Sequence, residues 1–177
     1  MKSLVVYKSK TGYSKKYAEW IARELDADLY TADNIRPGQF VAYDTIIFGG
    51  GIFAGRINGV DLIKDNLLDL LDKNVIVFAT GITEPSPEVD AEIIKQNFSP
   101  AEQDQIRFFY FRGGFDYKRL NWAAKLLMRF MRGVFKAKQR KNEPLTPVQS
   151  SMLSSFEQPQ DYTEQQNIAP LILAIRL

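Results

Sequence analysis

Thr45-Ile46-Ile47-Phe48-Gly49-Gly50-Gly51-Ile52-Phe53-Ala54-Gly55 is the stretch that decides the architecture. Between Asp44 and the three glycines, residues 45–48 offer no polar face to water, so they read as a strand covered on both sides, as in a parallel sheet. Working outward, Leu4-Val5-Val6-Tyr7 and Val75-Ile76-Val77-Phe78-Ala79 repeat the pattern, residues 106–111 add a fifth candidate, and Asp28-Leu29-Tyr30-Thr31 reads as a brief second strand. Apolar residues recur at helical spacing between them: Tyr17, Ala18, Ile21, Ala22 and Leu25 after the first strand, Val60, Ile63, Leu67 and Leu70 after the third, Val89, Ile93 and Ile94 after the fourth. Strands alternating with helices imply right-handed crossovers, which predicts an α/β fold: a doubly wound, five-stranded parallel sheet with helices on both faces.

The chain has 177 residues, 45% hydrophobic and 25% charged, the composition of one globular domain over residues 1–177. It contains neither histidine nor cysteine, which excludes thiol nucleophiles, disulfides, Cys/His zinc sites and Ser-His-Asp triads. Any redox chemistry must come from a cofactor that needs no such ligand, and proton transfer must use solvent, a carboxylate, Tyr or Lys. No apolar run approaches a signal peptide or the roughly 18 residues of a spanning helix, so a cytoplasmic protein is expected. Residues 139–162 break the periodicity and read as a long surface excursion. Thr163 is a candidate cap for a last helix, in which Pro170 should force a kink or a restart.

Ligands of open parallel sheets bind beyond the carboxyl ends of the strands, where strand order reverses, which points to the loops after strands one, three and four. Ser9-Lys10-Thr11-Gly12-Tyr13-Ser14 offers hydroxyls and free backbone N–H groups at a helix N-terminus, a cradle for phosphate. The plainer reading is a turn with Ser14 as the helix cap. Gly50, Gly51, Ile52, Phe53 and Gly55 combine close backbone approach with an aromatic ring on which a flat ligand could stack, although such glycines also make turns and such a ring also fills cores. The first loop is neither G-x-G-x-x-G nor G-x-x-x-x-G-K-[ST], which disfavours a dehydrogenase or kinase. A phospho-receiver would need acidic residues where Tyr7-Lys8-Ser9 and Phe48-Gly49-Gly50 stand.

The first loop resembles the phosphate loop of flavodoxins, in which a hydroxyl residue, Thr and Gly precede another hydroxyl. Tyr43-Asp44, Ile46 to Phe48, then Gly49-x-x-Ile52-Phe53-x-Gly55, together with Gly113-Gly114-Phe115-Asp116-Tyr117-Lys118-Arg119-Leu120, is similar to the flavodoxin-domain branch that includes the menaquinone-dependent protoporphyrinogen oxidases of haem biosynthesis. That resemblance implies non-covalent FMN. Thr11, Gly12, Tyr13 and Ser14 would hold its phosphate, Phe53 would stack on the ring, and backbone groups of Gly81, Ile82 and Thr83, after Thr80, would meet the ring edge. Gly114 would close the site, and Lys10 would either neutralise the phosphate or point into water. The activity implied is an FMN-dependent oxidoreductase with a quinone acceptor. An FMN-dependent quinone reductase, a flavodoxin electron carrier and an interaction module that has lost flavin are the alternatives.

Charge is unevenly spread. Residues 107–141 carry 11 Lys/Arg against one Asp/Glu, in a chain whose formal net charge is only +2. Read as one helix, residues 117–137 gather Lys118, Lys125, Arg129, Arg132 and Lys136 into a narrow stripe, while the apolar positions spread over about 200°, twice the roughly 100° needed to cover a sheet. The surplus either packs beneath the 139–162 excursion or meets an anionic membrane surface, where a quinone would be found. Arg112, Lys118 or Arg119 could alternatively hold a propionate-bearing macrocycle. No nucleic-acid partner is expected, since no groove-reading motif accompanies the charge.

Overall fold

The computed structural model describes residues 2–120, 122–145, 149–150, 153, 156 and 159–176. Strands β1 (Ser3–Lys8), β2 (Asp28–Thr31), β3 (Thr45–Phe53), β5 (Asn74–Gly81) and β6 (Arg107–Arg112) form a parallel sheet in the order β2-β1-β3-β5-β6. Strand order reverses between β1 and β3, so the carboxyl ends of β1, β3 and β5 surround the place where a ligand crevice is expected. All five expected strands are present.

Side-chain alternation divides the interior in two. Leu4, Val6, Ile46, Phe48, Val75 and Val77 project to one face, where Phe40, Ile63, Leu67, Leu70 and Ile93 cover them. Val5, Ile47, Ile76, Phe78 and Phe111 project to the other, beneath Tyr17, Ala18 and Ile21 of α1 (Tyr13–Leu25) and Leu171, Ile172 and Ile175 of α6 (Ala169–Arg176). Ile46, Ile47 and Phe48 are wholly buried, each worth roughly 1.5–3 kcal/mol. Helices therefore cover both faces, and both cores are needed to hold the strand ends.

Four expectations about boundaries change. The strand continues through the three glycines to Phe53 and turns back through Ala54 (φ 50°) and Gly55 (φ 80°) into the antiparallel β4 (Arg56–Ile57). Two successive left-handed residues make the tight hairpin whose twist suits the flanking strands. The helix expected from Val60 to Leu70 is one α-helical turn, α2 (Asp61–Lys64), and a separate 3-10 turn, Leu67–Leu70. Asn66 interrupts it, its side-chain amide donating to the Leu62 carbonyl at 2.8 Å. Val60, Ile63, Leu67 and Leu70 are nevertheless buried.

The basic helix starts later than 117. Asp116 accepts from Lys118 N–H and caps the start of a 3-10 turn at Tyr117–Arg119, which ends at the extended Leu120 (ψ 146°), and α5 is Trp122–Arg140. Lys118, Arg119 and Leu120 are thus not on it, and Asn121 lies outside the described residues. Thr163 caps no helix. Its N–H and hydroxyl both donate to Asp161, and Pro170 restarts the chain in the first turn of α6, where proline loses no hydrogen bond. Of the 139–162 excursion, residues 146–148, 151–152, 154–155 and 157–158 lie outside the described residues. Its end, β8 (Gln160–Asp161), pairs with β7 (Gly114–Phe115). Beyond β5, α3 (Pro87–Asn97) and α4 (Pro100–Gln103) lead into β6.

Candidate functional site

The β1–α1 loop builds one end of the site. Gly12 takes φ 96° as the residue before α1, its N–H donates to Ser9 Oγ at 3.0 Å, and among the described residues no side chain caps the helix. Ser14 is therefore not the cap. Its buried hydroxyl instead shares a 2.7 Å hydrogen bond with Thr80 Oγ1 at the end of β5. The first-turn N–H groups of α1 point at the crevice with the positive end of the helix dipole behind them and no acidic residue in that turn, the arrangement that binds an anion. Arg119 leans over the same loop, its guanidinium donating to the Thr11 carbonyl at 3.1 Å while Asp116 holds its Nε at 3.3 Å.

The β3–β4 hairpin builds the opposite wall. Gly49 and Gly51 face α1. A methyl on Gly49 would overlap the buried Phe78 ring, whereas one on Gly51 would stand 3.3 Å from Phe53 and 3.4 Å from Ser14 Oγ, between the hydroxyl cradle and the aromatic ring. Lys10 lies across the Phe53 ring, its ammonium 4.5 Å from the centroid. It is exposed, as one expectation had it, but it is also packed on the proposed stacking residue. Buried Asn97 holds the hairpin: it accepts from Ile57 N–H at 2.9 Å and donates to the Gly55 carbonyl at 2.8 Å.

Thr80, Gly81 and Ile82 close the floor, but the carbonyls beyond β5 are already engaged. Gly81 accepts from Gly113 N–H at 2.7 Å, Ile82 from Arg112 Nε at 3.3 Å, and Thr83 from the Tyr110 hydroxyl at 2.8 Å. Backbone groups offered to a ring edge there are thus N–H donors. Gly114 lies against Tyr13, whose ring a methyl there would meet at 2.6 Å.

These walls enclose a cavity of about 200 Å³. Lys10, Thr11, Tyr13 and Ser14 line it from the first loop, Gly51, Ile52 and Phe53 from the second, and Thr80, Gly81, Ile82 and Gly114 from the rest. Ser9, Gly12, Gly50, Gly55 and Thr83 support it without lining it. Gly50 faces the Asn58 backbone, and Gly55 makes the hairpin turn. The roof is Leu120 with Leu127, Met128 and Met131 of α5. Nothing in the apolar pattern of a basic helix tells which surface it covers, so this roof escaped the sequence. It also explains the size, below the roughly 300–1,000 Å³ of small-molecule sites. Two of its four side chains are unbranched methionines, which repack readily around a ligand.

Among the described residues no carboxylate lines this cavity, and its titratable groups are Lys10 and Tyr13. Burial raises the Tyr13 phenol, Asp161 and Asp116 add to the rise, and Arg119 opposes it, so Tyr13 stays a donor at neutral pH. Burial would raise Asp161 too, but hydrogen bonds from Thr163 and Lys16 win and hold its carboxyl below the ordinary range. Asp161 is thereby ionised and clasps α1 through Lys16 at 3.2 Å. Tyr17 completes that clasp: its buried hydroxyl donates to the Arg112 carbonyl at 2.7 Å and accepts from Asn167 at 3.1 Å. Tyr17 was legible only as an apolar helix position, and no pattern in the sequence singled out Asn97.

Arg112, Lys118 and Arg119 do not converge as a carboxylate clamp. Arg112 stacks on Tyr162, 3.9 Å from its centroid, along the β6 edge, and only Arg119 borders the cavity. A larger hollow of about 750 Å³ follows that edge between Glu84 and Asn167. It lies off the carboxyl ends of the strands and lacks the helix N-terminus, so the smaller cavity is the candidate site.

Comparison with known proteins places the arrangement. Solved structures with a similar course include a flavodoxin from the domain Archaea (17% identity, 64% of this chain and 85% of that one, TM-score 0.44). Flavodoxin 2 of Bacillus cereus is 22% identical, over 63% of this chain and 84% of that one, with a TM-score of 0.48. The uncharacterized protein MJ0298 of Methanocaldococcus jannaschii is 44% identical over 82 residues, 46% of this chain, so the chain spans 55% of the length of that curated relative. The sequence pattern described as flavodoxin domain matches residues 4–142, taking in both loops, the whole parallel sheet and the helix that roofs the cavity. On that match, over more than half its length, the chain belongs to the flavodoxin domain family.

Proposed function

We propose that this protein binds FMN non-covalently in the roofed cavity and works as a flavin-dependent oxidoreductase. Members of the family bind FMN, and the residues here fit it: an uncapped helix N-terminus for the phosphate, no carboxylate on the lining among the described residues, and a glycine gap beside Phe53. The observation that carries the reading is the convergence of Thr11, Ser14, Gly51 and Thr80, from three separate strand ends, on one cavity.

When bound, FMN supplies the redox chemistry, exchanging a hydride or electrons with substrate. The chain's own residues have narrower tasks. Thr11, Ser14 and the first-turn N–H groups bind the phosphate, while Arg119 adds charge beside it. Gly51 and Phe53 set the plane of the ring. The Ile82 N–H faces its edge, and Leu120, Leu127, Met128 and Met131 exclude water. Tyr13 holds a proton at its phenol oxygen.

Within that reading, the resemblance of residues 43–55 and 113–120 favours a protoporphyrinogen oxidase-like reaction with a quinone acceptor. The apolar roof supports it, since a lipid-soluble quinone or a macrocycle would find a compatible edge there. Purified protein should be yellow or take up FMN stoichiometrically, and should oxidise protoporphyrinogen with a menaquinone analogue. Failure to bind added FMN removes the whole reading. Flavin binding without protoporphyrinogen turnover removes only the finer one and leaves a quinone reductase or an electron carrier.

A further inference from the structure

A helix on a protein surface ordinarily turns its apolar stripe inward and its charges to water. α5 does something else. With 100° per residue, Met128 and Phe135 point inward and are buried, and the opposite side carries Trp122, Leu126 and Phe130, which are 80%, 64% and 70% exposed. Leu127 and Val134 widen that outer face on one side. Lys125, Arg129, Arg132 and Lys136 follow its other side as a stripe about 60° wide. Lys138 and Arg140 complete six cations on a helix with no carboxylate, and none of the six is ion-paired among the described residues.

We infer that the outer face of α5 docks in the plane of an anionic lipid bilayer, with Trp122, Leu126 and Phe130 in the headgroup layer and the Lys/Arg stripe on lipid phosphates. Contiguous exposed apolar surface of this kind marks an interaction site, and the flanking charge decides its partner. A second copy fits poorly, because pairing two such faces would set two sets of six cations together with no carboxylate on either helix to offset them. Nucleic acid would suit the cations and leave the apolar centre unmatched. No helix among the described residues is long and apolar enough to cross a membrane, so α5 lies on the surface.

The inference goes beyond the flavin reading: docking uses the outer face of α5 and the cavity its inner one, with Leu127 reaching both. If both hold, the roof of the cavity sits at the headgroup layer, where a lipid-soluble acceptor arrives.

The test is flotation of the full chain with phosphatidylcholine vesicles, with and without phosphatidylglycerol, together with tryptophan emission. The protein should float with anionic vesicles alone, less so in high salt, with a blue shift from Trp122. Replacing Lys125, Arg129, Arg132 and Lys136 by Gln should cut the bound fraction about tenfold or more, as should Leu126→Glu with Phe130→Glu. These side chains do not line the flavin cavity, so flavin absorbance should not change, and thermal melts should shift little, since of the four cations Arg132 alone loses a ring contact, to Phe156 at 5.3 Å among the described residues. No flotation, flotation indifferent to phosphatidylglycerol, or flotation unaffected by the variants would overturn the inference. So would a lipid-free dimer dissolved by Phe130→Glu, which would give the face to a second copy. Lost flavin absorbance with intact flotation would instead count against the proposed function alone.

Discussion

Gly51→Ala tests the site with the least disturbance to the fold. Two glycines of β3 face α1, and a methyl means opposite things at each. At Gly49 it would enter the space of the buried Phe78 ring, and overpacking a core position that cannot yield costs about 1–3 kcal/mol or more. At Gly51 it would meet Phe53 at 3.3 Å, Ser14 Oγ at 3.4 Å and Thr80 Oγ1 at 3.8 Å, all side-chain atoms. The tight contacts cost a few tenths of a kcal/mol, while alanine in a strand regains roughly 0.5–1 kcal/mol over glycine. Gly51→Ala should therefore fold within about 1 kcal/mol of the parent. The same methyl stands where phosphate cradle and ring slot join, so overpacking falls on the flavin instead. A penalty of about 1–3 kcal/mol there weakens FMN binding roughly 5- to 150-fold. Thermal melts give the stability and quenching of flavin fluorescence gives the affinity. Gly51→Ala that binds FMN as tightly as the parent would show that the ring does not lie against β3.

Arg119→Gln should weaken FMN about fivefold, near 1 kcal/mol for a guanidinium whose side chain is 60% exposed, and leave riboflavin, which has no phosphate, unchanged; equal loss of both ligands would refute a phosphate role. Asn97→Ala strands the Ile57 N–H and the Gly55 carbonyl, so it should cost about 2–3 kcal/mol and lower Tm by some 5–10 °C, with looser flavin binding through the displaced hairpin; an unchanged melt would refute it. Asp161 titrates below its ordinary value, so its contribution to stability is complete above about pH 4 and is lost as pH falls through the lower folded value; Asp161→Asn should remove that part of the acid dependence in urea melts. Burial, then the hydrogen bond to Asp28, pushes the Tyr43 phenol up to about 12, so its contribution is complete below pH 10 and lost as pH rises through 12. Tyr43→Phe should delete one late phase from the tyrosinate absorbance titration.

The parts legible in the sequence are those where one physical requirement dominates. Buried parallel strands need unbroken apolar runs, so β1, β3 and β5 stand out at once, whereas the short edge strand β2 (Asp28–Thr31), half exposed, is legible only from its place between helix and turn. The loop after the first strand is legible only in part: hydroxyls beside Gly12 read both as an anion site and as a turn capped by Ser14, and the structure turns Ser14 to Thr80 instead of the cap. Two requirements competing at one residue defeat the reading. Val60, Ile63, Leu67 and Leu70 keep helical spacing and burial, yet Asn66 bonds back to Leu62 and the helix breaks into two turns. Gly55 looks like a cofactor glycine and serves the hairpin turn, at φ 80°.

The roof was hidden for another reason. Periodicity shows how wide an apolar face is, not which surface it covers, and α5 has apolar residues enough for two. Leu127, Met128 and Met131 spend one part on the cavity, while Trp122, Leu126 and Phe130 remain outside. The strand ends beneath are fixed by two buried cores and by the Ser14–Thr80 hydrogen bond, so the cradle is rigid. The roof rests on far less: beyond Met128 and Phe135, every described side chain of α5 keeps some exposure. Whatever covers the outer face of α5 therefore bears on the least anchored wall of the cavity, and flavin affinity and surface docking should be coupled through Leu127, which reaches both. Leu127→Ala should widen the cavity and trim the docking face together, whereas Phe130→Ala should touch docking alone.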